Sequence, residues 1–554
     1  MLGAALVCWG TILSAQTLAP PLALARIDLI GAIRLTLSRD PNIQIEQEQA
    51  EFARGAIQRE AGIFDFTFDT ALSKGILRDP RTELERLQIG GRTNLSDHVS
   101  DLTNQRFGLT KQFRSGPSIS TGVEVNRLDE SMDQPAVNRA NVNFVLNIPL
   151  LKGFGTSSKG AAEQAARIGH EAAVLDLTHV TAMRVLNTAM AYWSCLGAEK
   201  ELSILRASAV RADDLFKKVQ QLVAGGELPA AELKQTEADV TEKRAAVDSA
   251  EQRFLQTRQS FALAIGAEGQ ELEKAPLPFE QWPQVETNAA PIPNYAGQDA
   301  LDRSLIRRAD YQSARKNERA SEILELAARR DLKPQLDLSL EAGYSGLSEG
   351  SQFRRFYGSV DPRSVDGPNA MATLRFVYPF GNQTAKGLVT QRKALLKQAN
   401  FREQDLARNI RSSIMVAFSE LAQTREELLK ARRAAELFQQ AVVNEQAKLR
   451  IGTSTILDVI STADRLATAE TRATAALVRY GMVLARVRFE TGLLLPAGSG
   501  TRAGFTLEDF LTIPGDTQLQ STSPGMGTGQ STKNTSGATL KAQVRAPTPP
   551  GGAL

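Results

Sequence analysis

The sequence predicts a mixed α and β membrane protein built from two copies of one unit, each with a helix, two strands and a long helical hairpin. Short motifs recur in the same order about 226 to 230 residues apart, which indicates a duplication. Segments with period-two alternation precede long segments poor in Pro and Gly, as strands followed by helices would. Aromatic residues form only 6% of the chain, which disfavours a bulky globular core.

Composition excludes several classes of function. The 554 residues carry a net charge of +3 from 65 basic and 62 acidic side chains, so no nucleic-acid partner is predicted. Cys8 and Cys195 form no Cys-x-x-Cys motif, and the three histidines are poorly placed for joint metal ligation. No phosphate-binding or nucleophile motif is present. We therefore predict no enzyme activity, metal or cofactor.

Residues 1–25 have the pattern of a signal peptide, although no Lys or Arg precedes the apolar segment. The cleavage motif Ala23-Leu24-Ala25 stands before Arg26. Beyond it, no run of about 18 apolar residues predicts a transmembrane helix. An exported chain of this kind is periplasmic, secreted or an outer-membrane β-barrel.

The duplication defines the predicted domain organisation. Each copy opens with one helix, at about 27–61 and 297–330, and ends in a long helical hairpin. A signal peptide is predicted at 1–25. The first repeat covers 26–266, with strands at about 62–149 and a helical hairpin at about 156–266, and the second covers 297–496, with strands at about 333–380 and a helical hairpin at about 384–494. A Pro-rich linker or equatorial segment at 267–296 separates the repeats, and an equatorial or disordered C-terminal tail follows at 497–554.

Alternation places apolar and polar side chains on opposite faces of the predicted strands. Residues 64–69 carry an aromatic ring at every second position, and residues 336–341 carry Leu there. The returning strands near 141–148 and 373–378 alternate in the same way. Such strands fit an aqueous channel with its apolar face toward lipid, or a periplasmic β-sandwich with one wet face. Alternation alone favours neither.

The first copy carries about 38 more residues than the second before its last strand, and part of the excess resembles a hairpin. Residues 107–113 and 119–125 alternate and are joined by Arg114-Ser115-Gly116-Pro117. An inserted hairpin preserves chain direction. It could widen the sheet, or it could fold as an extracellular cap.

The longest segment free of Pro and Gly follows Gly387. At 1.5 Å per residue, the span 386–450 predicts a helix of about 95 Å. Its heptad seam consists of Leu421, Leu428, Ala435, Val442 and Leu449, with Ala431 and Phe438 in the intermediate register. A second helix follows over about 456–490, and the first copy repeats the pattern from about 159 to 264. Helical pairs this long must pack against further helices to bury both faces.

This order of elements, present twice, resembles the TolC-type outer-membrane efflux proteins over about residues 27–494. One matching motif is the turn from strand to helix, at Pro149 and Gly153 and again at Pro379 and Gly381. The other is a Gly-x5-Asp-Val hairpin tip that starts at Gly452. Two copies in the same order make the resemblance specific.

The resemblance implies a trimeric outer-membrane β-barrel, with four strands from each copy of a homotrimer, continued by an α-helical barrel in the periplasm. The family gives substrates a passive exit through outer-membrane lipid in efflux or type I secretion systems. Its partners are a periplasmic adaptor (membrane fusion) protein and an inner-membrane pump or ABC transporter. The alternative is a soluble periplasmic coiled-coil scaffold or adaptor, although such adaptors typically have one hairpin and this chain has two.

The resemblance also points to site residues. Asp458 matches a carboxylate that rings the periplasmic aperture, and Ser461 stands where the family has a second acid. Asp458 could equally cap its own helix. The hairpin tips match the surface that docks the adaptor, or they are plain turns. Their residues are Gly225, Gly226 and Leu228 in the first copy and Gly452, Thr453 and Ser454 in the second.

Overall fold

The computed structural model describes residues 26–80, 82–84, 97–130, 135–272, 275–283, 298–361, 363, 365–495 and 507–511. The predicted signal peptide, half of the predicted linker and most of the predicted tail lie outside these residues. Those segments stay predictions from the sequence.

The first half of the chain has helices at its two ends and four strands between them. Its elements are β1 Arg26–Ile27, α1 Leu29–Arg39, α2 Pro41–Gly62, β2 Phe66–Pro80, β3 Asp97–Gln112, β4 Ser118–Glu130, β5 Val137–Pro149, α3 Thr156–Lys159, α4 Ala161–Ala224 and α5 Ala230–Ala264. The 64 residues of α4 and the 35 residues of α5 form the first long hairpin.

The second half repeats this order with two strands, β7 and β8, after its opening helices. Its elements are β6 Leu277–Pro278, α6 Gln298–Arg307, α7 Ala309–Arg330, β7 Gln335–Glu349, α8 Phe353–Gly358, β8 Val365–Val377, α9 Gln383–Arg450, α10 Ile456–Glu490 and α11 Glu508–Leu511. The 68 residues of α9 make a helix about 100 Å long. The predicted mixed α and β class is confirmed.

Each copy opens with two helices where the sequence predicts one. In the first copy Asp40 ends α1 and caps α2, its side chain accepting hydrogen bonds from two amides of the first turn. Pro41 takes the first helical position, where its missing N–H leaves no carbonyl unsatisfied. In the second copy the break falls at Arg308. The predicted continuous helix over 27–61 is wrong for the first copy. A proline inside a helix removes a backbone hydrogen bond and clashes with the carbonyl of the preceding turn.

Six strands form one antiparallel sheet in the order β2, β3, β4, β5, β7, β8, and β1 pairs with β6 in a separate parallel sheet. β5 and β7 join the two copies, with Val137 opposite Glu349 and Pro149 opposite Asp337. β2 and β8 are the two edges. Because the number of strands is even, the chain enters the sheet at β2 and leaves it from β8 at the same end, beside the helices.

The two faces of this sheet differ in polarity, since residues paired across strands share a face. The apolar face carries Phe66, Phe68, Leu72, Phe107, Leu109, Ile119, Val123, Phe144, Leu146, Leu338, Leu374 and Phe376. The polar face carries Asp69, Arg106, Thr110, Glu124, Asn126, Asn141, Asn143, Asp337, Glu341 and Arg375. This segregation is typical of a sheet with lipid on one side and water on the other.

The additional hairpin of the first copy lies within the sheet. β3 pairs with β2 and β4, and β4 pairs with β3 and β5. Its turn closes with a hydrogen bond from the N–H of Phe113 to the carbonyl of Pro117 (2.8 Å). The structure therefore places residues 107–125 in the sheet, to which the first copy contributes four strands and the second copy two.

The predicted seam packs α9 against α10 of the same hairpin. Leu421, Leu428 and Val442 of α9 are buried. α4 and α10 approach closely at two glycines. A methyl group on Gly197 would meet Val478 at 2.4 Å, and one on Gly481 would meet the ring of Trp193 at 3.0 Å. No helix among the described residues is long and apolar enough to cross a bilayer.

The largest core lies where α1, α4, α5 and α11 meet. Tyr192, Trp193 and Phe261 are fully buried there, and Phe510 of α11 joins them. The hydroxyl of Tyr192 donates to the carbonyl of Phe279 (2.5 Å), which ties the segment after α5 to this core. Burial raises the pKa of the Cys195 thiol to about 12. This cysteine is therefore a protonated core residue.

Candidate functional site

Both long hairpins reverse at a glycine with the same backbone geometry. Gly226 has a φ of +77° and Gly452 a φ of +76°, which L side chains rarely adopt. The residue after each glycine, Glu227 or Thr453, donates its N–H to a carbonyl near the helix end (2.9 and 3.0 Å). This Schellman arrangement satisfies the last carbonyls of the helix. The two predicted tips are therefore equivalent turns.

The two tips lie side by side at one end of the molecule. Val219 near the end of α4 packs against Ile456 and Ile460 at the start of α10, and Leu228 and Leu449 border this cluster. Of the predicted docking residues, Gly225, Gly226, Gly452 and Thr453 are exposed, and Leu228 and Ser454 are half-buried. The fold thus brings both predicted segments onto one surface.

Asp458 forms a reciprocal cap at the start of α10. Its N–H donates to the Thr455 hydroxyl (3.2 Å), and its Oδ2 accepts from the N–H (3.1 Å) and hydroxyl (2.6 Å) of Thr455. The hydroxyl hydrogen bond is the main cause that lowers the pKa of Asp458, so the carboxylate is charged at neutral pH. The residue is exposed. The capping alternative is therefore present, and the aperture role stays a prediction.

Ser461 lies one turn beyond Asp458 and lines a groove of about 600 Å³ between α9 and α10, beside Phe438 and Asp464. Asp464 pairs with Lys243 of α5 (2.5 Å), which connects the two hairpins. Ser461 itself is half-buried. The structure places both predicted aperture residues at the same end of α10, but the charge belongs to Asp458.

Polar contacts also stiffen the second tip. The hydroxyl of Ser454 donates to Glu445 (2.5 Å), and Lys448 pairs with the same carboxylate (3.1 Å). The Ser454 hydrogen bond is the main cause that lowers the pKa of Glu445. The predicted tip residue Ser454 is therefore bonded to the helix that precedes it.

The two strand-to-helix turns share a second backbone feature. Gly153 has a φ of +86° and Gly381 a φ of +84°. Pro149 ends β5, and Pro379 follows β8, so each proline stands where the chain leaves the sheet. Phe380 is 96% exposed beside the second turn. Aromatic side chains of this kind suit the boundary between lipid and water.

The β3–β4 turn is fastened to the first of these junctions. Nε of Arg114 lies 2.5 Å from Glu163 in α4, and Arg167 lies 2.7 Å from the same carboxylate. The Glu163 side chain is only 5% exposed. The hydrogen bond from Arg114 is the main cause that lowers the pKa of Glu163. The amide of Gly155 also donates to the carbonyl of Ser115 (2.9 Å).

A buried charge cluster joins α7 to the end of α10. Arg308 pairs with Asp310 (2.8 Å) and with Glu490, and their side chains are 8%, 13% and 11% exposed. Burial alone would raise the pKa of Asp310, but the hydrogen bonds and charge of Arg308 outweigh burial and lower it. His179 lies 3.8 Å from Asp310. Sequence reasoning missed this cluster and the Arg114 contact.

Metal binding has no support in the described part of the chain, where no group of three His, Cys, Asp or Glu side chains could hold an ion. His170 instead contacts the carbonyl of Ala50 (3.2 Å). The ring of His179 packs against Phe489.

Comparisons with known proteins give one matching family model, over part of the chain, and several solved structures with the same fold. Residues 111–267 match the model of the outer membrane efflux protein family. The outer-membrane channel OprN is 17% identical, with 84% of this chain and 89% of OprN covered and a TM-score of 0.61. The CmeC outer membrane channel of Campylobacter jejuni is 14% identical, with 85% of this chain and 87% of CmeC covered and a TM-score of 0.62. The open state of the MtrE outer membrane channel of Neisseria gonorrhoeae is 16% identical, with 84% of this chain and 88% of MtrE covered and a TM-score of 0.60. No curated protein sequence matches the chain.

Proposed function

We propose, from the match of residues 111–267 to the outer membrane efflux protein family and from the shared channel fold, that this chain is the outer-membrane channel of an efflux or type I secretion system. It gives substrates a passive exit across the periplasm and the outer membrane. The observation that carries the proposal is the six-stranded sheet with one apolar and one polar face, joined directly to helical hairpins about 100 Å long.

The sheet fits lipid only as part of a closed wall. A bilayer offers no hydrogen bonds to the backbone, so every strand in it needs a partner on both sides. We infer that copies of the chain close the wall as a homotrimer. The long helices then leave the membrane on one side and reach into the periplasm, because both β5 and β8 lead into them.

The hairpin tips are the proposed docking surface for a periplasmic adaptor protein, which in turn connects the channel to an inner-membrane pump or ABC transporter. Support comes from their geometry. Gly226 and Gly452 present the same turn twice at one end of each copy, with exposed backbone around each glycine. An adaptor that recognises one tip therefore finds a second, similar tip beside it.

Asp458 is the proposed aperture residue. Three copies around a threefold axis would bring three exposed carboxylates together at the periplasmic entrance, and such a ring favours cations. In each single copy the hydrogen bond from the Thr455 hydroxyl lowers the pKa of Asp458, which favours the charged carboxylate. With Ser461 at the next turn, each copy supplies one charge to the ring.

Cell fractionation followed by electrophoresis of unboiled and boiled membrane fractions tests the proposal. We expect an outer-membrane species that migrates as a trimer and collapses to a monomer on boiling. Reconstituted in a planar bilayer, the purified species should conduct ions. A soluble monomer, indifferent to heating, would contradict the proposal and favour a periplasmic scaffold.

A further inference from the structure

The two edge strands of the sheet are its most exposed elements. Every side chain from Phe66 to Arg78 in β2 is exposed, and so is every one from Pro368 to Val377 in β8. Strands with partners on both sides, such as β4, are mainly half-buried. The exposed side chains include large apolar ones such as Leu72 (73%) and Leu374 (64%). Among the described strands, β2 pairs only with β3 and β8 only with β7, so each edge has one side without the partner strand that a lipid environment requires.

A second copy of this chain fits both edges. β2 runs away from the helices and β8 runs back toward them, so β8 of one copy and β2 of the next are antiparallel. Joining them continues the apolar face from Phe376 and Leu374 to Phe66 and Phe68. It also continues the polar face. Among the described strands of the same copy, β3, β4, β5 and β7 already have partners on both sides, and β1 pairs with β6.

We propose that β8 of each copy pairs with β2 of the next, so that three copies of six strands close an eighteen-stranded wall. The proposal rests on the proposed function for the number of copies. It departs from the four strands per copy that the family resemblance implies, because the inserted hairpin β3–β4 pairs within the sheet. Barrel diameter grows roughly linearly with strand number, so this wall is about one and a half times as wide as one of twelve strands.

The register of the described strands indicates how the seam aligns. The pairing can be followed from each strand to the next across the sheet. When it starts at Phe66, the first residue of β2, the last partner reached is Ala372 of β8. Ala372 stands five positions before Val377, the last residue of β8. At each strand pairing, the paired residue therefore lies about one position farther from the helix end of the sheet. Tilted barrel strands require such a stagger. A sixth step brings Ala372 opposite Leu72 of the next copy, and both residues belong to the apolar face.

This register brings two opposite charges together. Three positions toward the helices, Arg375 of β8 comes opposite Asp69 of the neighbouring β2. Both side chains belong to the polar face and are exposed. Among the contacts described within one copy, neither forms an ion pair, and the Asp69 carboxylate lies over Gly108. A shift of two residues leaves them diagonal neighbours, still within reach of an arginine side chain.

Charge reversal tests the seam. Asp69→Arg and Arg375→Asp each place like charges across it, which should reduce the heat-sensitive oligomer in unboiled electrophoresis by about tenfold, since juxtaposed like charges oppose association. The double variant Asp69→Arg with Arg375→Asp restores the opposite pair and should recover the native amount. Glu341→Arg is the matched control. It reverses a charge on the same polar face, but in the interior strand β7, and should leave the oligomer intact.

The outcomes separate the seam from the function. If the native chain is an outer-membrane oligomer but the single variants assemble normally, or the double variant is no better than either single one, the seam is wrong and the proposed function stands. A native chain that is monomeric overturns both. Electron microscopy down the axis of the native oligomer gives a second measurement. A ring of twelve strands, with β3 and β4 outside it, contradicts the wider wall.

Discussion

Asp458 combines two contributions that a single substitution can separate. Its charge is what the proposed aperture requires, whereas its hydrogen bonds with Thr455 stabilise the first turn of α10. An amide keeps the acceptor and the shape of the side chain but removes the charge. Alanine would remove the charge and the hydrogen bonds together.

Asp458→Asn should therefore raise single-channel conductance in planar bilayers and weaken block by multivalent cations, because the negative charges leave the constriction. The thermal unfolding midpoint should change little, since the cap survives. Glu232→Gln is the control, because Glu232 is the first-turn acid of α5 and should leave conductance unchanged. Equal cation block in the native and Asp458→Asn channels would remove Asp458 from the aperture.

Site residues were predictable from the sequence where their geometry is local. Gly226 and Gly452 reverse helices whose ends the sequence already shows, and the acid at Asp458 follows within one turn. Paired charges were not predictable. Arg114 meets Glu163 across 49 positions, and Arg308 meets Glu490 across 182. Nothing in the local pattern separates these arginines from solvated ones, so only the fold identifies their partners.

At the scale of elements, the contact of the β3–β4 turn with α4 depends on pH. The hydrogen bond from Arg114 lowers the pKa of Glu163 below its usual 4.5. A carboxyl group with a lowered folded pKa stabilises the fold fully above the unfolded value, and this stabilisation is lost as the pH falls through the folded value. The turn should therefore loosen in acid below about pH 4.5.

Glu163→Gln should lower the free energy of unfolding at pH 7 by about 1 to 3 kcal/mol, since hydrogen bonds to a charged group are lost. The variant should also lose less stability than the native protein between pH 5 and pH 3. Thermal unfolding followed by circular dichroism across this range checks both. The exposed Glu51→Gln change is the control and should stay within about 0.5 kcal/mol. Parallel pH curves for native and Glu163→Gln proteins would contradict the contact.

The sequence predicted the long helices well, because their buried residues recur at a regular period. The expected ends of the long helices at 450 and 490 match α9 and α10. The prediction of a single opening helix in the first copy was wrong because Asp40 and Pro41 start a new helix within a continuous helical pattern. The position of residues 107–125 could not be predicted, because alternation fixes the two faces of a strand but leaves its neighbours unspecified.

For the whole molecule, the buried cluster at Arg308 connects the second copy's opening helices to the end of its long hairpin. Arg308→Met would remove the cation that Asp310 and Glu490 share and leave each with a longer contact, to His179 (3.8 Å) and to Arg486 (3.9 Å) respectively. Removing one partner of a buried pair typically costs about 3 to 5 kcal/mol, so we expect a loss of that order in the free energy of unfolding. Chemical denaturation of the detergent-solubilised protein measures it.

Arg408→Met provides the matched control for that measurement. Arg408 pairs with Asp405 on the surface of α9, and its side chain is 79% exposed. Exposed pairs contribute about 0 to 1 kcal/mol, so this change should barely alter stability. Equal effects of the two substitutions would show that the buried cluster contributes no more than a surface pair.

The hairpin β3–β4 has a consequence for how related walls can differ. A hairpin is the smallest addition that returns the chain to the end of the sheet where its helices begin, because one extra strand would leave the chain at the far end. In the proposed wall of three copies, two strands gained by each copy change the circumference in fixed increments of six strands. The helices need no matching insertion, since the added turn only rests on α4. Selection can therefore alter the width of the wall in discrete steps while the helical conduit keeps its size.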